Sequence, residues 1–441
     1  MNREMWIKKA LEEGFESFEI YQDVEEEKKY TWYKGALDTF VTSHVTGTAL
    51  RGIYGGRLAN YATEDSGDGQ MEKVISLMKE QAQAVTSEDQ VFIREPKDSE
   101  EYKDTHCFEI PAADEVKTLL SDIEKMILSY DERVISVNEV EWEEIVSKRE
   151  IVNSKGLSVK DKSRIHVVIA ECAVMENEEV KDSFDYKAVE KISDFDKEAF
   201  VKKICDKALK KLGASSLKSG NYPVIIDRDA MSDLLGAFSY LFSGDLISKG
   251  ISPLRDKLGK EIFSGKITVV DDPRCPESYQ TDNYDDEGCP TYKKEVVKDG
   301  VFALALQNSK TAAKMGTEST GNGFKAGYAS AVGVSPMNCY IVPGEKSLEE
   351  LMAEMGEGLV VDDVAGLHAG IDHVTGNFSL QCAGYLVEGG KRTKSVSLIT
   401  MAGNFLDMMK KVKEVGSDLE WGLSNVTAPS ILFTEVAIAG E

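Results

Sequence analysis

The first half of the chain alternates strand-like segments with helical periodicity. Apolar and polar residues alternate, with turns between the segments, over residues 18–24, 29–33, 36–41, 47–53 and 57–62. Apolar residues recur at helical spacing over residues 71–85, 116–127 and 196–212. Strand-like alternation also covers residues 134–186, with a turn at 153–156. The pattern predicts an α+β domain over residues 1–213.

A short polar stretch, ASSLKSG at residues 214–220, has the composition of a linker. Strands and glycine turns dominate the sequence after it. Two well-marked helices are predicted there, one capped by Ser347 and Glu350 and one over residues 404–415. We therefore expect a β-rich C-terminal domain at 221–441. The predicted fold class is α+β, with two domains, antiparallel sheets and packed helices.

Composition narrows the possible functions. The chain has 441 residues, 42% hydrophobic and 29% charged, which is typical of a folded globular protein. Its formal net charge of −25 repels phosphate backbones and anionic lipid, and so argues against direct nucleic-acid binding. No apolar run approaches the ~20 residues of a membrane span, and the N-terminus lacks the apolar core of a signal peptide. Seven dispersed cysteines without a CxxC pair are typical of reduced thiols, so we expect a cytoplasmic protein.

Common catalytic and ion-binding motifs are absent from the sequence. It contains no HExxH, GxSxG or P-loop pattern. The acidic run at residues 282–288 departs from a calcium loop because Lys294 occupies the position of the bidentate glutamate. We expect this run to be a solvated or partner-facing loop. The stretch GNGFK at residues 321–325 predicts a tight turn with a glycine at positive φ.

Two histidines are the best candidates for an unrecognised site. His368 and His373 lie close together and could bind zinc with Cys382 or Asp362. A Cys382–His373 nucleophile pair is a further alternative. Because the surrounding segment is bounded by glycines and predicted to be a loop, nothing in the sequence fixes both imidazoles on one rigid face. We therefore interpret both histidines as structural or surface residues.

A series of turn-rich motifs gives the chain a family resemblance. In order they are LRGIYGGR at 50–57, VVDDP at 269–273, DDEG at 285–288, PT at 290–291, KDG at 298–300, TGN at 320–322, YIVPG at 340–344, TGNFS at 375–379, GYLVE at 384–388 and AGN at 402–404. Each motif is weak by itself, but together and in this order they are specific. The chain resembles the TldD/PmbA family, and within it the PmbA (TldE) type.

This resemblance implies a two-domain α+β protein of a bacterial or archaeal cytosolic proteolytic system, historically called modulators of DNA gyrase. TldD-type members carry HExxxH on a helix and a later cysteine, which bind zinc and supply a glutamate as general base. The corresponding segment here, LLGAFSYLFSGD at residues 234–245, has neither histidine nor glutamate, and residues 421–441 contain no cysteine. We therefore assign no catalytic, cofactor-binding or metal-binding residue to this chain. Zinc is expected in a partner subunit instead.

Two functional hypotheses follow. In the first, the chain is a non-catalytic subunit that pairs with a TldD-like zinc-bearing relative, as a homo- or heterodimer enclosing a chamber. It then binds peptides or unfolded proteins by adding their strands to its sheets. In the alternative, it is a self-contained hydrolase that uses a site such as His368 and His373. Direct modulation of gyrase rests on the family's name alone.

Overall fold

The computed structural model describes residues 1–86, 91–96 and 108–441, and it has a two-domain α+β fold built on largely antiparallel sheets. Within these ranges, the helices α1 to α9 are Arg3–Glu12, Met71–Ala84, Ala113–Leu128, Lys197–Lys210, Arg228–Phe238, Gly244–Ser248, Ser309–Met315, Leu348–Met355 and Phe405–Met409. The strands β1 to β18 are Ser17–Tyr33, Ala36–Tyr54, Arg57–Thr63, Val134–Asn153, Ser158–Glu176, Glu179–Ala188, Gly220–Ile226, Val269–Asp271, Lys294–Lys298, Val301–Phe302, Cys339–Ile341, Gly358–Ala365, Ile371–Asp372, Asn377–Glu388, Lys391–Asn404, Val412–Val415, Val426–Thr427 and Ile431–Ala439.

The N-terminal domain contains one six-stranded antiparallel sheet with the order β3-β2-β1-β4-β5-β6. Helices α3 and α4 cover one face, and the core between them includes Leu120, Trp142, Val168 and Ile204. Since side chains alternate along a strand, the residues between these core positions face the other way. The opposite face is therefore the one that turns toward the C-terminal domain.

The predicted helices of this domain are confirmed as α2, α3 and α4, and α4 begins after the capping residue Asp196. Helix α1 was not predicted, because charges every few residues obscure its short apolar stripe around the buried Trp6. The segments at 18–24 and 29–33 are one continuous strand, β1. Acidic residues between them suggested a break, but they pair with β2 and β4 along the sheet.

Two sheets form the C-terminal domain. The larger has the order β12-β7-β18-β15-β14-β13, with β16 added beside β18, and the smaller has the order β10-β9-β8-β11-β17. Only the β7–β12 and β11–β17 pairs are parallel among the named strands. Helix α5 packs in the core with the aromatic rings of Phe242, Phe263, Phe302 and Phe405.

One C-terminal helix is confirmed and another is shorter than predicted. Helix α8 begins at a capping box in which Ser347 accepts from Glu350 N–H and Glu350 accepts from Ser347 N–H. The helix predicted over residues 404–415 ends at Met409. The chain then forms β16, because Val412 pairs with Phe433 on β18. The spacing of Val412 and Val415 is helical, but a bulge between Val412 and Glu414 allows both valines to be buried in a strand.

Residues 211–219 connect α4 to β7 and run beside the larger C-terminal sheet, where Ser215 pairs with Val396.

None of the described helices is both long enough and apolar enough to cross a membrane.

Candidate functional site

The candidate site is a cleft between the two domains with a cavity volume of about 710 Å³. One wall is the open face of the N-terminal sheet, and the other is formed by loops of the C-terminal domain. Side chains with charged or hydroxyl groups around it include Tyr21, Asp23, Arg149, Asp161, Tyr240, Ser243, Asp245, Asp282 and Asp286. Cavities of this size at domain interfaces are the usual places for ligands to bind.

A row of charged residues crosses the N-terminal sheet at this cleft. Asp23, Arg149 and Asp161 lie directly opposite one another on β1, β4 and β5, so their side chains share one face. The Arg149 side chain is only 9% exposed. It donates from Nη1 to Asp286 at 2.8 Å, and from Nη2 to Asp161 and Asp282 at 2.6 Å each. One N-terminal arginine thus neutralises carboxylates from both domains.

The acidic run at residues 282–288 is largely buried, so the expectation of a solvated or partner-facing loop is wrong. Tyr284 and Asp285 are fully enclosed, and Asp286 and Glu287 are 4% and 6% exposed. The Arg149 guanidinium lies 4.7 Å from the centre of the Tyr284 ring. Buried carboxylates are tolerated only when they are paired and hydrogen-bonded. The arginines beside Asp282, Asp286 and Glu287 come from the N-terminal sheet, which the local sequence of the loop does not show.

Backbone N–H groups hold Asp285 in place at the centre of this loop. Its carboxylate accepts hydrogen bonds from the backbone N–H groups of Glu287 and Cys289 at 2.9 Å and of Gly323 at 2.8 Å. Burial raises the pKa of Asp285 to about 8, the Glu287 carboxylate adds to the rise, and the N–H donors oppose it. The predicted tight turn is confirmed beside it, where Gly321 has φ of 70° and packs against the Pro290 carbonyl.

Two further basic residues, Arg51 and Lys325, lie at the interface between the domains. Arg51 donates to Glu19 from Nε at 2.8 Å, and its Nη1 lies 3.9 Å from Glu287. The Lys325 ammonium lies 4.3 Å from the centre of the Tyr21 ring. Burial lowers the pKa of Lys325 to about 8, and Arg51 acts in the same direction. Lys325 can therefore exchange a proton at Nζ close to neutral pH.

Residues 234–245, which the resemblance places at the zinc-binding helix of TldD-type proteins and which we call the zinc-motif segment, are well packed. Helix α5 starts where Asp227 accepts the Ala230 N–H at 3.0 Å, and it continues into a 3-10 turn, Ser239–Phe242. The Phe238 ring stacks on Phe405 with 4.4 Å between centroids. Apolar packing therefore maintains a helix at this position.

Its side chains do not fit a zinc ion. The residues of this segment that reach the cleft are Tyr240, Ser243 and Asp245, and Asp245 is already paired with Lys249 at 2.7 Å. Structural and catalytic zinc sites use several imidazole, thiolate or carboxylate ligands together. Across the described ranges, no three histidine, cysteine or acidic side chains converge in a way that could hold a metal.

Among the described residues, the histidine candidates do not form a group of three ligands with Cys382 or Asp362 that could hold a metal. His368 is exposed on the loop before β13, and Cys382 is buried on β14, where burial raises its pKa to about 12. Asp362 lines a different cavity from the cleft. His373 packs beside the zinc-motif segment, since its ring lies 6.2 Å from the ring of Tyr240. His106 and Cys107 lie outside the described residues.

Sequence reasoning assigned no role to the basic residues at the interface between the domains. Arg51 is inside the LRGIYGGR motif and Lys325 is inside the GNGFK stretch, whereas Arg149 carried no signal of its own. Arg149 is separated from Asp286 by 137 positions, so only the packing of the two domains shows that they meet.

Comparisons with known proteins agree with this architecture. The profile of the PmbA/TldA metallopeptidase central domain matches residues 106–212, and that of the C-terminal domain matches residues 219–440. Metalloprotease PmbA of Escherichia coli O157:H7 is 29% identical over 329 residues, which cover 74% of this chain and 70% of that protein. Two solved structures share the whole fold. A Thermotoga maritima protein described as a modulator of a DNA gyrase has a TM-score of 0.89 at 29% identity and covers 99% of both chains. TldE of Thermococcus kodakarensis has a TM-score of 0.90 at 25% identity and covers 99% of this chain and 100% of its own.

The ordered motifs, the two matched domains and the shared fold lead to one conclusion: the chain belongs to the PmbA/TldD family of metallopeptidase-like proteins.

Proposed function

We propose that this chain is the PmbA/TldE-type subunit of a TldD–TldE-type metallopeptidase system, in which it binds substrate and forms part of a chamber but does not cleave peptides alone. The observation that carries this proposal is the segment at residues 234–245. Its helix and its packing are retained, but it presents no set of zinc ligands. The peptide-cleaving metal then belongs to a TldD-like partner subunit.

An unpaired strand edge supports the proposed mode of substrate binding. β3 pairs with β2 only from Thr48 to Tyr54, so the described structure leaves one edge of β2 open over residues 36–47. This edge ends beside the C-terminal domain, because Gly47 packs against the Tyr328 ring, and Tyr328 lines a neighbouring cavity that shares Lys325 with the cleft. An extended peptide can add to such an edge through main-chain hydrogen bonds, independently of its side chains. Peptides and unfolded proteins are therefore the proposed substrates.

The proposed setting is the cytosol, and the proposed assembly is a homo- or heterodimer. The six cysteines within the described residues are all buried and form no disulfide, which is consistent with a reducing compartment. The description of the Thermotoga relative names gyrase, but a net charge of −25 argues against direct contact with DNA.

The test measures metal content and peptide cleavage together. We expect the purified chain to contain no stoichiometric zinc and to leave an unstructured peptide intact. Addition of a TldD-type relative with HExxxH should produce chelator-sensitive cleavage beyond that of the relative alone. A relative with the motif glutamate changed to glutamine serves as the matched control and should give no cleavage. Cleavage by the isolated chain would contradict the proposal.

A second candidate, the self-contained hydrolase, has one observation in its favour, the position of His373 beside Tyr240 at the cleft. The double variant His368→Ala, His373→Ala separates the two candidates. If the histidines form a zinc site, their loss should abolish the metal content and the activity of the isolated chain. If the subunit proposal is right, neither quantity changes and the mixture with the relative remains active.

A further inference from the structure

A second interdomain cavity lies apart from the cleft. Its volume is about 480 Å³, and it shares no lining residue with the cleft. Helix α4 of the N-terminal domain forms one wall, and strands β12, β14 and β15 together with the start of α5 form the other. The volume is in the range of small-molecule sites, which are frequent between domains.

The two walls carry opposite charges. Lys203 of α4 pairs across the cavity with Asp229 at 3.7 Å, but two further lysines and two aspartates are left without such a pair. Lys207 and Lys210 project from α4, whereas Asp362 and Asp363 lie on β12. In the part of the chain that the structure describes, none of these four side chains has an ion pair or a hydrogen bond. By contrast, the neighbouring Lys203 is already paired, with Asp185 at 2.9 Å.

A local irregularity of the sheet places both aspartates on this cavity. Successive side chains of a regular strand point to opposite faces, so adjacent residues cannot line the same space. The pairing of β12 with β14 shifts between Val361 and Asp363, which leaves Asp362 as an extra residue. Such bulges re-aim side chains and are frequent beside binding sites. The facing part of β15 is irregular as well, and Leu398 there has a left-handed φ of 55°.

The charges influence one another across the cavity without touching. Burial raises the pKa of Asp362, while Arg392, Lys207 and Lys210 act in the opposite direction. Arg392 also lines the cavity on the aspartate side, but its guanidinium lies 4.1 Å over the Tyr385 ring and forms no ion pair with either aspartate in the described structure. Lys207, Asp362 and Asp363 are half-buried, and Lys210 is exposed at the rim. Half-buried charges without an ion pair favour a ligand that contacts both walls.

We propose that this cavity binds a small zwitterion, an amino acid or short peptide with free termini, with its ammonium group at the aspartates and its carboxylate at the lysines. A simple anion would leave the aspartates unpaired, and a metal ion would leave the lysines unpaired. The inference does not depend on the proposed function, because the cavity is separate from the cleft.

Titration calorimetry on the full chain tests the site with alanyl-alanine, free alanine, N-acetyl-alanyl-alanine amide and inorganic phosphate. We expect saturable binding of alanine, of alanyl-alanine, or of both. The one with the higher affinity shows whether the site prefers an amino acid or a dipeptide. The blocked dipeptide should bind about tenfold more weakly or not at all, because each lost charge-assisted contact costs at least that factor. Phosphate should not compete.

Charge-removing variants connect the binding to these residues. Lys207→Met with Lys210→Met keeps the apolar stems, and Asp362→Asn with Asp363→Asn keeps the shape; each pair should weaken binding at least about tenfold. Lys73→Met on α2 and Asp256→Asn, both exposed and away from the cavity, are the matched controls and should bind normally. Circular dichroism establishes that every variant is folded.

Three results would overturn the inference. They are equal binding of the blocked dipeptide, competition by phosphate, which would indicate an anion site only, and unchanged affinity in both folded double variants. Absence of binding by either zwitterion would also refute it.

Discussion

At the residue scale, Arg149 is a buried charge at the contact between the two domains. A single guanidinium, almost completely removed from solvent, serves Asp161 of its own domain and Asp282 and Asp286 of the other. Pairs of this kind contribute little compared with apolar packing when they are complete, but they are costly when one partner is missing. We therefore expect the contact between the domains at the cleft to depend on Arg149 for its stability.

Replacing Arg149 with methionine should destabilise the protein by about 3–5 kcal/mol, because three carboxylates then lose their shared cation. Equilibrium unfolding in urea measures the effect. Arg255→Met is the control, since the Arg255 side chain is 61% exposed and its loss should change the free energy of unfolding by less than about 0.5 kcal/mol. Equal effects of the two substitutions would show that the buried cluster has no special role.

The cost of Arg149→Met should also depend on pH. Burial raises the pKa of Asp282 to about 6, and Arg149 opposes that rise, so the variant raises the pKa further. A carboxyl with a higher pKa in the folded than in the unfolded state takes up its proton first in the folded state. Falling pH then favours folding. The destabilisation measured at pH 5 should consequently be smaller than at pH 8.

At the scale of elements, the contact between β12 and β14 depends on one glycine. A Cβ at Gly384 would overlap the Val360 carbonyl oxygen of the facing strand. Gly384→Ala should therefore push the strands apart and cost about 1–3 kcal/mol or more in thermal or urea unfolding. Gly422→Ala is the matched control, because no atom lies within 4 Å of the point that its Cβ would occupy, and the stability of this variant should be nearly unchanged.

The sequence predicts a helix or strand correctly where a local pattern alone, such as an apolar stripe or a capping box, determines it. Helices α2, α3 and α4 combine a clear apolar stripe with polar flanks, and the capping box at Ser347 fixes the start of α8. Prediction fails where pairing with a segment that is distant in the sequence determines the secondary structure. Residues 404–415 look helical alone, but pairing with β18 converts their last part into β16. The glutamates at 25–27 look like a turn alone, but neighbouring strands on both sides hold them in β1.

At the scale of the whole molecule, the family was readable from the order of weak motifs, whereas the cleft was not. The two walls of the cleft come from residues more than 130 positions apart, such as Arg149 and Tyr284. Only the packed structure shows that the acidic run at 282–288 is part of an interface within the chain. The zinc-motif segment was located from the resemblance, and its apolar packing required the structure.

Assembly is the prediction that belongs to this scale. Sedimentation velocity at micromolar concentration should give a species of twice the 48.6 kDa chain mass, or a one-to-one complex when a TldD-type relative is added. Stable interfaces of this kind commonly bury ~2,000 Å² or more. A strictly monomeric chain, both alone and in the mixture, would contradict the proposed chamber.

The shared arginine cluster also has an evolutionary consequence. Asp282, Asp286 and Glu287 of the C-terminal half have their arginine partners, Arg149 and Arg51, in the N-terminal half. A recombination event that joined the C-terminal half to an unrelated N-terminal domain would leave these carboxylates without those arginines. We therefore expect the two halves to be inherited together, and substitutions at the arginines to be accompanied by changes in the acidic run.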